Sequence, residues 1–587
     1  MSDPQDDVIT PVTANQLSQV KGSGIWTSGP SVAPAAAGVG EALVAALQGS
    51  AADEVLPPEL RQLVADVQRV ATIGFPRITA HDGIRLSAHT IKLNGDEPRP
   101  LVVVPAGWTP FGWVLFEYAY LQLAKRGYHV LAYTPRGIGT TVRIPGGSFV
   151  DAPWTSGGTV DVGGPLDWAD GSTVIDYAQQ HFNPSRIAFL GESYGSGISQ
   201  LVAANDPADR VSAVVALSTW GDLAEALLGN DTRHLAAVDA LVAFTGGPEE
   251  RKFDAATRQI LKDFHDGVNL DVVRAWALER SPRSYSDQTN ARDIPTFYSN
   301  TWHETLFPVN QVVETFDALT VPKHLNVWIG DHAAPEGSGL TVPFSGPNLP
   351  VEEAFAWLDH HVLGAQNEVP NWPQVNSQVM FTPTVREGRA SWDEVTTSTE
   401  TLFLGATPAG GQDGPLGSDP APGWQVSFTT GNLTEATAVD ALLTTGQEEW
   451  KGNPKSYATG KFDRRHLATW ISPAGARRVR GVPHLRVTVT GIEASSTLVA
   501  YLFDLAPDGT ARIITHEPFT LAAGEPGKAT TVTWPLQAAA YDVAADHRVM
   551  LVINSKDQLY SDANPTYSTL RLSSPAGAEA RLELPLG

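Results

Sequence analysis

The sequence of 587 residues contains no cysteine. This absence excludes disulfide bonds, thiolate metal sites and cysteine nucleophiles. The sequence also has no run of about 18 or more uncharged apolar residues, so it predicts no transmembrane helix. Its first residues, MSDPQDDVITP, lack a basic stretch followed by an apolar one and predict no signal peptide. We therefore expect a cytoplasmic location, with secretion left open.

Positive charge is scarce, since 40 Lys and Arg residues face 64 Asp and Glu residues and the formal net charge is −24. Binding to the phosphate backbone of nucleic acids needs basic patches, so this balance argues against a nucleic-acid partner. No membrane partner is predicted either. The 53 Gly and 43 Pro residues predict many turns and loops. At about 100–200 residues per domain, the length allows two to four domains.

The pattern of apolar residues divides the chain into five parts. Residues 1–70 form an N-terminal extension without recognisable chemistry. Strands and helices alternate over 71–218 and again over 293–373, which predicts a parallel sheet covered on both faces. The intervening residues 219–292 read as helical and predict a cap inserted into that core. Residues 374–587 contain short alternating segments separated by turns, which predict a β-sandwich or jelly-roll domain.

The clearest motif is Gly191-Glu192-Ser193-Tyr194-Gly195, which matches the pattern G-x-S-x-G. A predicted buried strand, Arg186–Leu190, runs into this motif, and a predicted helix follows it. Strand, turn and helix in this order are the setting of a nucleophile elbow, in which a serine hydroxyl is exposed above a sheet. An ordinary turn with a capping serine is the alternative. The motif predicts that Ser193 is a nucleophile.

A serine nucleophile needs a base to take its proton and a carboxylate to orient that base. On an α/β-hydrolase fold the three follow in the order serine, acid, histidine. His332 lies just past a predicted strand that ends at Ile329, and is the predicted base. Glu304 is the only carboxylate in the loop after the strand Ile294–Ser299, and is the predicted acid. Its alternative is a loop carboxylate paired with solvent or with Lys323.

The charge that develops on the attacked carbonyl oxygen needs hydrogen-bond donors, which form an oxyanion hole. The backbone N–H of Tyr194, the residue after the nucleophile, is the first predicted donor. The second is expected in the loop after the strand Leu101–Val104, at Gly107 or Trp108. The alternative for this loop is packing alone.

The aromatic residues Trp220 and Trp302 lie in predicted loops near the strand ends, as does His303. We expect these three side chains to contact the substrate, because substrate pockets are mostly apolar with a few polar groups. No spacing typical of a metal site or of dinucleotide binding is present, so neither a metal nor a cofactor is predicted.

Several segments resemble the X-Pro dipeptidyl-peptidase and cocaine-esterase group of α/β-hydrolases. They are Gly127-Tyr128, Arg136-Gly137-Ile138-Gly139, Asp170-Gly171 and the elbow motif. The β-rich last third resembles the jelly-roll domain of that group. The resemblance implies an α/β-hydrolase core with a helical cap insertion, plus a C-terminal all-β jelly-roll domain that shapes the substrate entrance. It also implies a serine triad without a cofactor.

Two positions depart from that group. The group usually has aspartate where this sequence has Glu304. It often supplies a tyrosine hydroxyl to the oxyanion hole from the loop in which this sequence has Trp108. These departures motivate a second hypothesis, a non-catalytic binding protein with a degenerate hydrolase core.

The favoured hypothesis is a serine hydrolase that cleaves a small ester, amide or short peptide through an acyl-enzyme. An esterase or acylase is favoured over an X-Pro dipeptidyl-peptidase or another aminopeptidase. An aminopeptidase should present carboxylates to the α-ammonium group of its substrate. Asp222, Glu225 and Asp231 in the cap could do so, although they also fit a solvated helix face. A homo-oligomer is possible.

Overall fold

The computed structural model describes residues 32–49, 56–341, 348–382, 384–408, 413–491, 493–522 and 524–587. In this part of the chain the strands form two large sheets, one of eleven strands and one of fourteen, and a separate hairpin. Every helix among the described residues is too short or too polar to cross a membrane.

The first sheet is mainly parallel, as the alternation of strands and helices predicts. It has the order β1-β3-β5-β4-β8-β9-β10-β11-β12-β13, with β2 paired to β3. Strands β4, β5 and β8 to β12 are parallel, and the remaining strands pair antiparallel at the two edges. The strands of this sheet and of the hairpin β6–β7 are β1 (Ala71–Gly74), β2 (Arg77–Thr79), β3 (Arg85–Leu93), β4 (Arg99–Pro105), β5 (His129–Tyr133), β6 (Thr141–Arg143), β7 (Phe149–Asp151), β8 (Pro184–Glu192), β9 (Val211–Leu217), β10 (Thr296–Thr301), β11 (Lys323–Trp328), β12 (Val375–Gln378) and β13 (Arg386–Arg389).

Helices cover both faces of this sheet, because its central strands are apolar on both sides. The helices are α1 (Val32–Leu47), α2 (Pro58–Val70), α3 (Glu117–Arg126), α4 (Pro165–Phe182), α5 (Tyr194–Asn205), α6 (Leu223–Leu228), α7 (Leu235–Phe244), α8 (Glu249–Lys252), α9 (Ala255–Asp266), α10 (Leu270–Glu279), α11 (Ser286–Ala291), α12 (Val309–Ala318), α13 (Gly337–Thr341), α14 (Leu349–Leu358) and α15 (Thr444–Trp450). In β4, Val102 and Val104 pack with α1, α2, α3 and α14, whereas Leu101 and Val103 pack with α4, α5 and α12.

Helices α6 to α11 form the cap, which is inserted between β9 and β10 as the sequence predicts. One anchor of the cap is Lys252, which is buried at the end of α8. Its Nζ donates to the carbonyl of Gly137 at 2.9 Å and to the carbonyl of Gly139. The cap is thereby tied to the loop that follows β5.

The second sheet folds into two layers joined by β15, which pairs with β14 in one layer and with β18 in the other. Leu485 and Val487 from one layer share a buried cluster with Leu498 and Leu502 from the other, which makes a β-sandwich. Its strands are β14 (Ser398–Leu404), β15 (Gly414–Gly417), β16 (Trp424–Thr429), β17 (Tyr457–Ala458), β18 (Leu467–Ile471), β19 (Arg477–Gly481), β20 (His484–Thr490), β21 (Ser496–Leu505), β22 (Thr510–Leu521), β23 (Thr530–Pro535), β24 (Ala539–Val543), β25 (Arg548–Asn554), β26 (Thr569–Ser574) and β27 (Arg581–Leu586). The jelly-roll connectivity stays a prediction.

The first sheet extends beyond residue 373, where the sequence analysis ends the core. Strand β12 pairs in parallel with β11, with Val375 opposite Leu325, and β13 follows antiparallel. The change from one sheet to the other falls between Arg389 and Ser398. Short alternating strands at a sheet edge have the same sequence texture as strands of a sandwich, so composition alone does not separate them.

Candidate active site

The elbow motif places Ser193 between the end of β8 and the start of α5. Its backbone has φ 55° and ψ −125°, a strained conformation for a residue with a side chain. The Ser193 N–H donates to the carbonyl of Leu217 on β9 at 3.0 Å. A Cβ on Gly191 would lie 2.1 Å from the carbonyl of Gly195, and one on Gly195 would lie 2.1 Å from the carbonyl oxygen of Pro105. Both glycines are therefore required by the close approach of neighbouring backbone.

Ser193, His332 and Glu304 form one continuous chain of hydrogen bonds. The Oγ of Ser193 lies 2.8 Å from Nε2 of His332, and Nδ1 of His332 lies 3.0 Å from Oε1 of Glu304. An ionised carboxylate only accepts hydrogen bonds, so Nδ1–H donates to Glu304, and in the neutral imidazole Nε2 is left to accept from the serine hydroxyl. The structure thus brings together the three side chains that the sequence analysis singles out.

Sheet topology explains why these distant residues meet. Strands β10 and β11 are adjacent and parallel, so the loops that follow them, which carry Glu304 and His332, leave the same edge of the sheet. The Glu304 Oε1 also accepts from the amides of Leu306 at 3.1 Å and Phe307 at 3.3 Å. The Phe307 ring packs edge-on against His332, with centroids 5.3 Å apart. Acid and base are both held in place by the loop after β10.

Asp331 is next to the histidine but has a different task. Its carboxyl accepts from the Thr305 amide at 2.8 Å, from the Thr305 hydroxyl and from the amide of His332 at 2.7 Å. These bonds tie the loop after β10 to the loop after β11. Burial, with the nearby Glu304 carboxylate, raises the pKa of Asp331 to about 7.

The surroundings of the imidazole are acidic. Burial by itself lowers the pKa of His332, but the carboxylates of Glu304, Glu192 and Asp331 outweigh it and raise this pKa to about 9. Glu192 Oε1 lies 3.7 Å from Nε2 of His332, and burial raises the pKa of Glu192 to about 7. Glu336 is fully buried nearby and accepts from the hydroxyls of Ser218 and Ser299. The site therefore has an excess of carboxyl groups.

Three backbone amides are available near the nucleophile. Tyr194 is the first residue of α5, so its N–H has no acceptor within the helix. The loop after β4 lies against the elbow, since a Cβ on Gly107 would be 3.6 Å from Cβ of Ser193. Among the described residues, no backbone acceptor takes the amides of Tyr194, Gly107 or Trp108.

Trp108 reaches from this loop to the cap. Its Nε1 donates to the hydroxyl of Thr245 on the cap at 3.1 Å. Its ring lies edge-on to the ring of Tyr194, with centroids 5.0 Å apart. The Tyr194 hydroxyl in turn donates to Asp167 at 2.5 Å. The side chain of Trp108 thus packs between the cap and the ring of Tyr194.

Two of the expected substrate contacts lie in the core. Trp302 is 1% exposed, and its indole N–H donates to the carbonyl of Gln378 at 2.8 Å. Trp220 is 2% exposed, and its indole N–H donates to the carbonyl of Arg280 at 2.9 Å. Both side chains are large and apolar and find buried acceptors, so they pack in the core. Their contact with the substrate stays a prediction.

His303, the third expected contact, joins the two domains. Its Nδ1 lies 2.8 Å from Oε2 of Glu449 on α15, and its Nε2 lies 3.1 Å from the carbonyl of Ile514 on β22. Both ring nitrogens are therefore engaged. On the same helix, a Cβ on Gly446 would lie 2.2 Å from Cβ of Asp331. Helix α15 thus packs against both loops that carry the acid and the base.

Sequence reasoning missed Glu192 and Glu449. Glu192 occupies a position at which the G-x-S-x-G pattern allows any residue, so the motif gives no signal for it. The only signal for α15 is the short run of helix-favouring residues Gln447 to Glu449. That run lies in a region whose other segments predict strands.

One cluster of His81, Asp82 and Asp170 has ligand atoms close enough to hold a metal ion. The guanidinium of Arg136 already occupies its carboxylates, with bonds of 2.8 and 2.7 Å to Asp170 and 3.0 Å to Asp82. The cluster is thus an arginine–carboxylate network that is buried at Arg136 and Asp170 and exposed at His81 and Asp82. It accounts for the Arg136 and Asp170 motifs of the sequence.

Two family models match the sequence. The model of X-Pro dipeptidyl-peptidase (S15 family) matches residues 82–334, and that of the X-Pro dipeptidyl-peptidase C-terminal non-catalytic domain matches residues 367–580. Their order corresponds to the core with its cap and to the β-sandwich. No curated protein sequence matches the chain.

Solved structures with the same fold cover both domains. An α-amino acid ester hydrolase has a TM-score of 0.67 at 15% identity, with 88% of this chain and 97% of that chain covered. An aminopeptidase from a marine sediment archaeon, Thaumarchaeota archaeon, has a TM-score of 0.64 at 14% identity, with 88% and 96% covered. A CocE/NonD family hydrolase from Staphylococcus aureus has a TM-score of 0.64 at 11% identity, with 88% and 94% covered.

These likenesses show an α/β-hydrolase core followed by a β-sandwich, the fold that the sequence predicts. The two family models together span most of the chain and name the same group. The chain belongs to the X-Pro dipeptidyl-peptidase-like group of serine hydrolases.

Proposed function

We propose that Ser193, His332 and Glu304 are the catalytic triad of this hydrolase. The observation that carries the proposal is the unbroken hydrogen-bond chain from the Ser193 hydroxyl through His332 to Glu304. Its elements follow in the order serine, acid, histidine that this fold uses. Glutamate takes the place of the usual aspartate, and its longer side chain still reaches Nδ1.

The reaction follows from the geometry of the triad. Nε2 of His332 accepts the hydroxyl proton while Oγ of Ser193 bonds to the substrate carbonyl carbon, and the carbonyl oxygen becomes an oxyanion. Glu304 stabilises the imidazolium that forms. As the oxyanion collapses, the bond to the leaving group breaks and His332 returns its proton to that group. Water then attacks the carbonyl carbon of the acyl-enzyme while His332 takes its proton. As the bond from that carbon to Oγ of Ser193 breaks, His332 returns the proton to Oγ, and the acid and free Ser193 are released.

The oxyanion hole consists, in this proposal, of the backbone amides of Tyr194 and of Gly107 or Trp108. Preorganised amides aimed at a developing negative charge are typically worth a few kcal/mol of barrier each. Backbone donors in the loop after β4 would replace the tyrosine hydroxyl that the family often uses. Trp108 then serves to seat this loop between the cap and the Tyr194 ring.

The substrate class is a small ester or amide, with an esterase or acylase preferred over an aminopeptidase. The cap carboxylates that could have held an α-ammonium group already have partners. Asp222 accepts from the amide of Glu225 at 3.1 Å, and the carboxylates of Glu225 and Asp231 each pair with Arg274, at 3.3 and 3.2 Å. These contacts are a helix cap and surface ion pairs within the cap, so they support the interpretation of the three carboxylates as a helix face and not as an ammonium site.

A fluorophosphonate probe tests the triad. The wild-type protein should be labelled on Ser193, as located by peptide mass spectrometry, and Ser193→Ala should not. Ser199→Ala, on the same helix, is the matched control and should be labelled like wild type. A folded wild-type protein that resists the probe would favour the non-catalytic binding protein.

Paired substrates separate the two activities. Hydrolysis of p-nitrophenyl esters with little cleavage of X-Pro-p-nitroanilides would support the esterase or acylase. The opposite ranking of kcat/KM would identify a dipeptidyl-peptidase instead.

A further inference from the structure

The side chain of Tyr194 is anchored at its far end, although this residue serves the proposed site through its backbone amide. The Tyr194 hydroxyl donates to Oδ2 of Asp167 at 2.5 Å and accepts from the amide of Gly163 at 3.1 Å. Oδ2 of Asp167 also accepts from the Gly163 amide, at 2.9 Å. Tyr194 and Asp167 are both buried, so the three groups form a closed triangle of hydrogen bonds inside the protein.

Two indole rings hold the ring of Tyr194. Trp108 lies edge-on to it with centroids 5.0 Å apart, and Trp220 is stacked on it with centroids 6.1 Å apart. A Cβ on Gly197, three residues further along α5, would lie 2.1 Å from the ring of Trp220, so α5 packs directly on that indole. The Tyr194 side chain therefore cannot swing away unless two tryptophans move with it.

Asp167 is itself held by the start of α4 and by the cap. Oδ2 of Asp161 accepts from the amide of Leu166 at 2.7 Å, which closes the first turn of α4. The guanidinium of Arg280, which follows the cap helix α10, donates from Nε to the carbonyl of Asp161 at 3.0 Å. The carboxyl group that receives the Tyr194 hydroxyl is therefore on a fixed segment.

The carboxyl group of Asp167 is costly where it is. Its Oδ1 is buried and has no hydrogen-bond partner among the described residues, and a buried acceptor without a donor costs free energy. Burial and the nearby Asp161 raise the pKa of Asp167 to about 8. In the described part of the chain, the Tyr194 hydroxyl is the one side-chain donor that this carboxyl group meets. The contact with Tyr194 is thus the feature that distinguishes this carboxyl group.

We propose that Asp167 is a positioning residue for the oxyanion hole, because by holding the Tyr194 hydroxyl it fixes the direction of the Tyr194 amide. This inference rests on the proposed function. The peptide group that carries the amide is held at its Ser193 end, where the carbonyl accepts from the amide of Ser196 at 3.0 Å. Its other end is the α-carbon of Tyr194, which the anchored side chain keeps in place. Catalysis by an oxyanion hole depends on donors that are oriented before the charge develops, so both ends matter.

A p-nitrophenyl ester and the thionoester of the same acid test the proposal. Sulfur accepts hydrogen bonds weakly, so a thionoester gains little from the oxyanion hole. Both substrates use the same nucleophile and base. The ratio of kcat/KM for the ester to kcat/KM for the thionoester therefore reports the hydrogen bonds to the oxyanion, and a loss of folded protein does not change it.

Tyr194→Phe keeps the ring and removes the hydroxyl, and we expect it to lower this ratio by about tenfold, as a misplaced donor should. Asp167→Val should lower it equally, and the double variant should lower it no further, because the two groups act through one bond. Asp167→Asn keeps an acceptor oxygen and should retain most of the ratio. Tyr298→Phe is the matched control, since the buried Tyr298 hydroxyl also bonds to α5, at Gln200 (3.0 Å), and should leave the ratio unchanged.

An unchanged ratio in Tyr194→Phe would overturn the role of Asp167, and so would separate effects that multiply in the double variant. Should Asp167→Val not fold, Tyr194→Phe and Asp167→Asn still decide, because a ratio that falls equally in both would show that an acceptor at residue 167 is not what matters. Fluorophosphonate labelling of Ser193 is measured in parallel. A wild type that resists the probe contradicts the triad, whereas a labelled wild type with an unchanged ratio in Tyr194→Phe contradicts this inference alone.

Discussion

At the scale of single residues, the chemistry of the site depends on a buried imidazole among carboxyl groups. Nδ1 of His332 is committed to Glu304 and its Nε2 to Ser193. Serine hydrolases work when the free imidazole is neutral, yet here the pKa of His332 is raised to about 9. The carboxyl groups around His332 therefore decide what fraction of the imidazole is neutral and able to accept the Ser193 proton.

The pH dependence of the reaction follows with a definite sign. His332 must be neutral to accept the Ser193 proton, and it is protonated below its pKa. We therefore expect kcat/KM for an uncharged ester to rise with pH, to reach half of its maximum near pH 9 and to level off above it. A pH–rate profile in which kcat/KM reaches half of its maximum at about pH 6.5, the ordinary histidine value, would contradict this account of the site.

The acid assignment makes a second prediction at this scale. Glu304→Gln removes the charge that stabilises the imidazolium and reverses the hydrogen bond to Nδ1, so kcat should fall by about 10³–10⁴. Glu304→Asp keeps the charge but shortens the reach, and should lose less. Steady-state kinetics of the two variants tests the assignment. A Glu304→Gln variant with near wild-type kcat would show that Glu304 is not the acid of the triad.

At the scale of elements, the elbow and the alternation of strands and helices were predictable, because both leave local signals. The glycine at 191 is dictated by the approach of backbone within the same turn, whereas the glycine at 195 is dictated by the carbonyl of Pro105 at the end of β4. His332 follows directly from the end of a strand. The burial of Trp220 and Trp302 was not predictable, because it depends on which distant carbonyl each indole meets. The place of β12 and the existence of α15 likewise depend on packing partners far along the chain.

Lys252 anchors the cap to the loop after β5, and this contact gives a prediction about stability. Its ammonium group is buried and is the donor to the carbonyls of Gly137 and Gly139, and burial lowers its pKa to about 8. Lys252→Met leaves these carbonyls without that donor and should lower the free energy of unfolding by about 1–3 kcal/mol. Denaturant unfolding measures this change. Lys262→Met, at an exposed position in the cap, is the control and should have little effect.

At the scale of the whole molecule, the β-sandwich is part of the support of the active site. Its helix α15 holds His303 through Glu449 and lies against Asp331 at Gly446. These two contacts fall on the two loops that supply the acid and the base. The sandwich therefore braces the triad from outside the core.

Gly446 provides the test of this bracing. A methyl group at this position would overlap Asp331, so Gly446→Ala should displace α15 or the His332 loop and lower kcat by about tenfold. Gly460→Ala, whose new methyl group would meet open space, is the control in the same domain. Equal kcat values for the two variants would mean that the sandwich does not position the triad.

The central claim is the transfer of an acyl group to one serine, and mass spectrometry of a rapidly quenched reaction tests it most directly. After the protein is mixed with a p-nitrophenyl ester, peptide mapping should find one acyl group, on Ser193, and His332→Ala should show none. Turnover of the ester with the acyl group on another residue, or with no acylated protein at any time, would contradict the account.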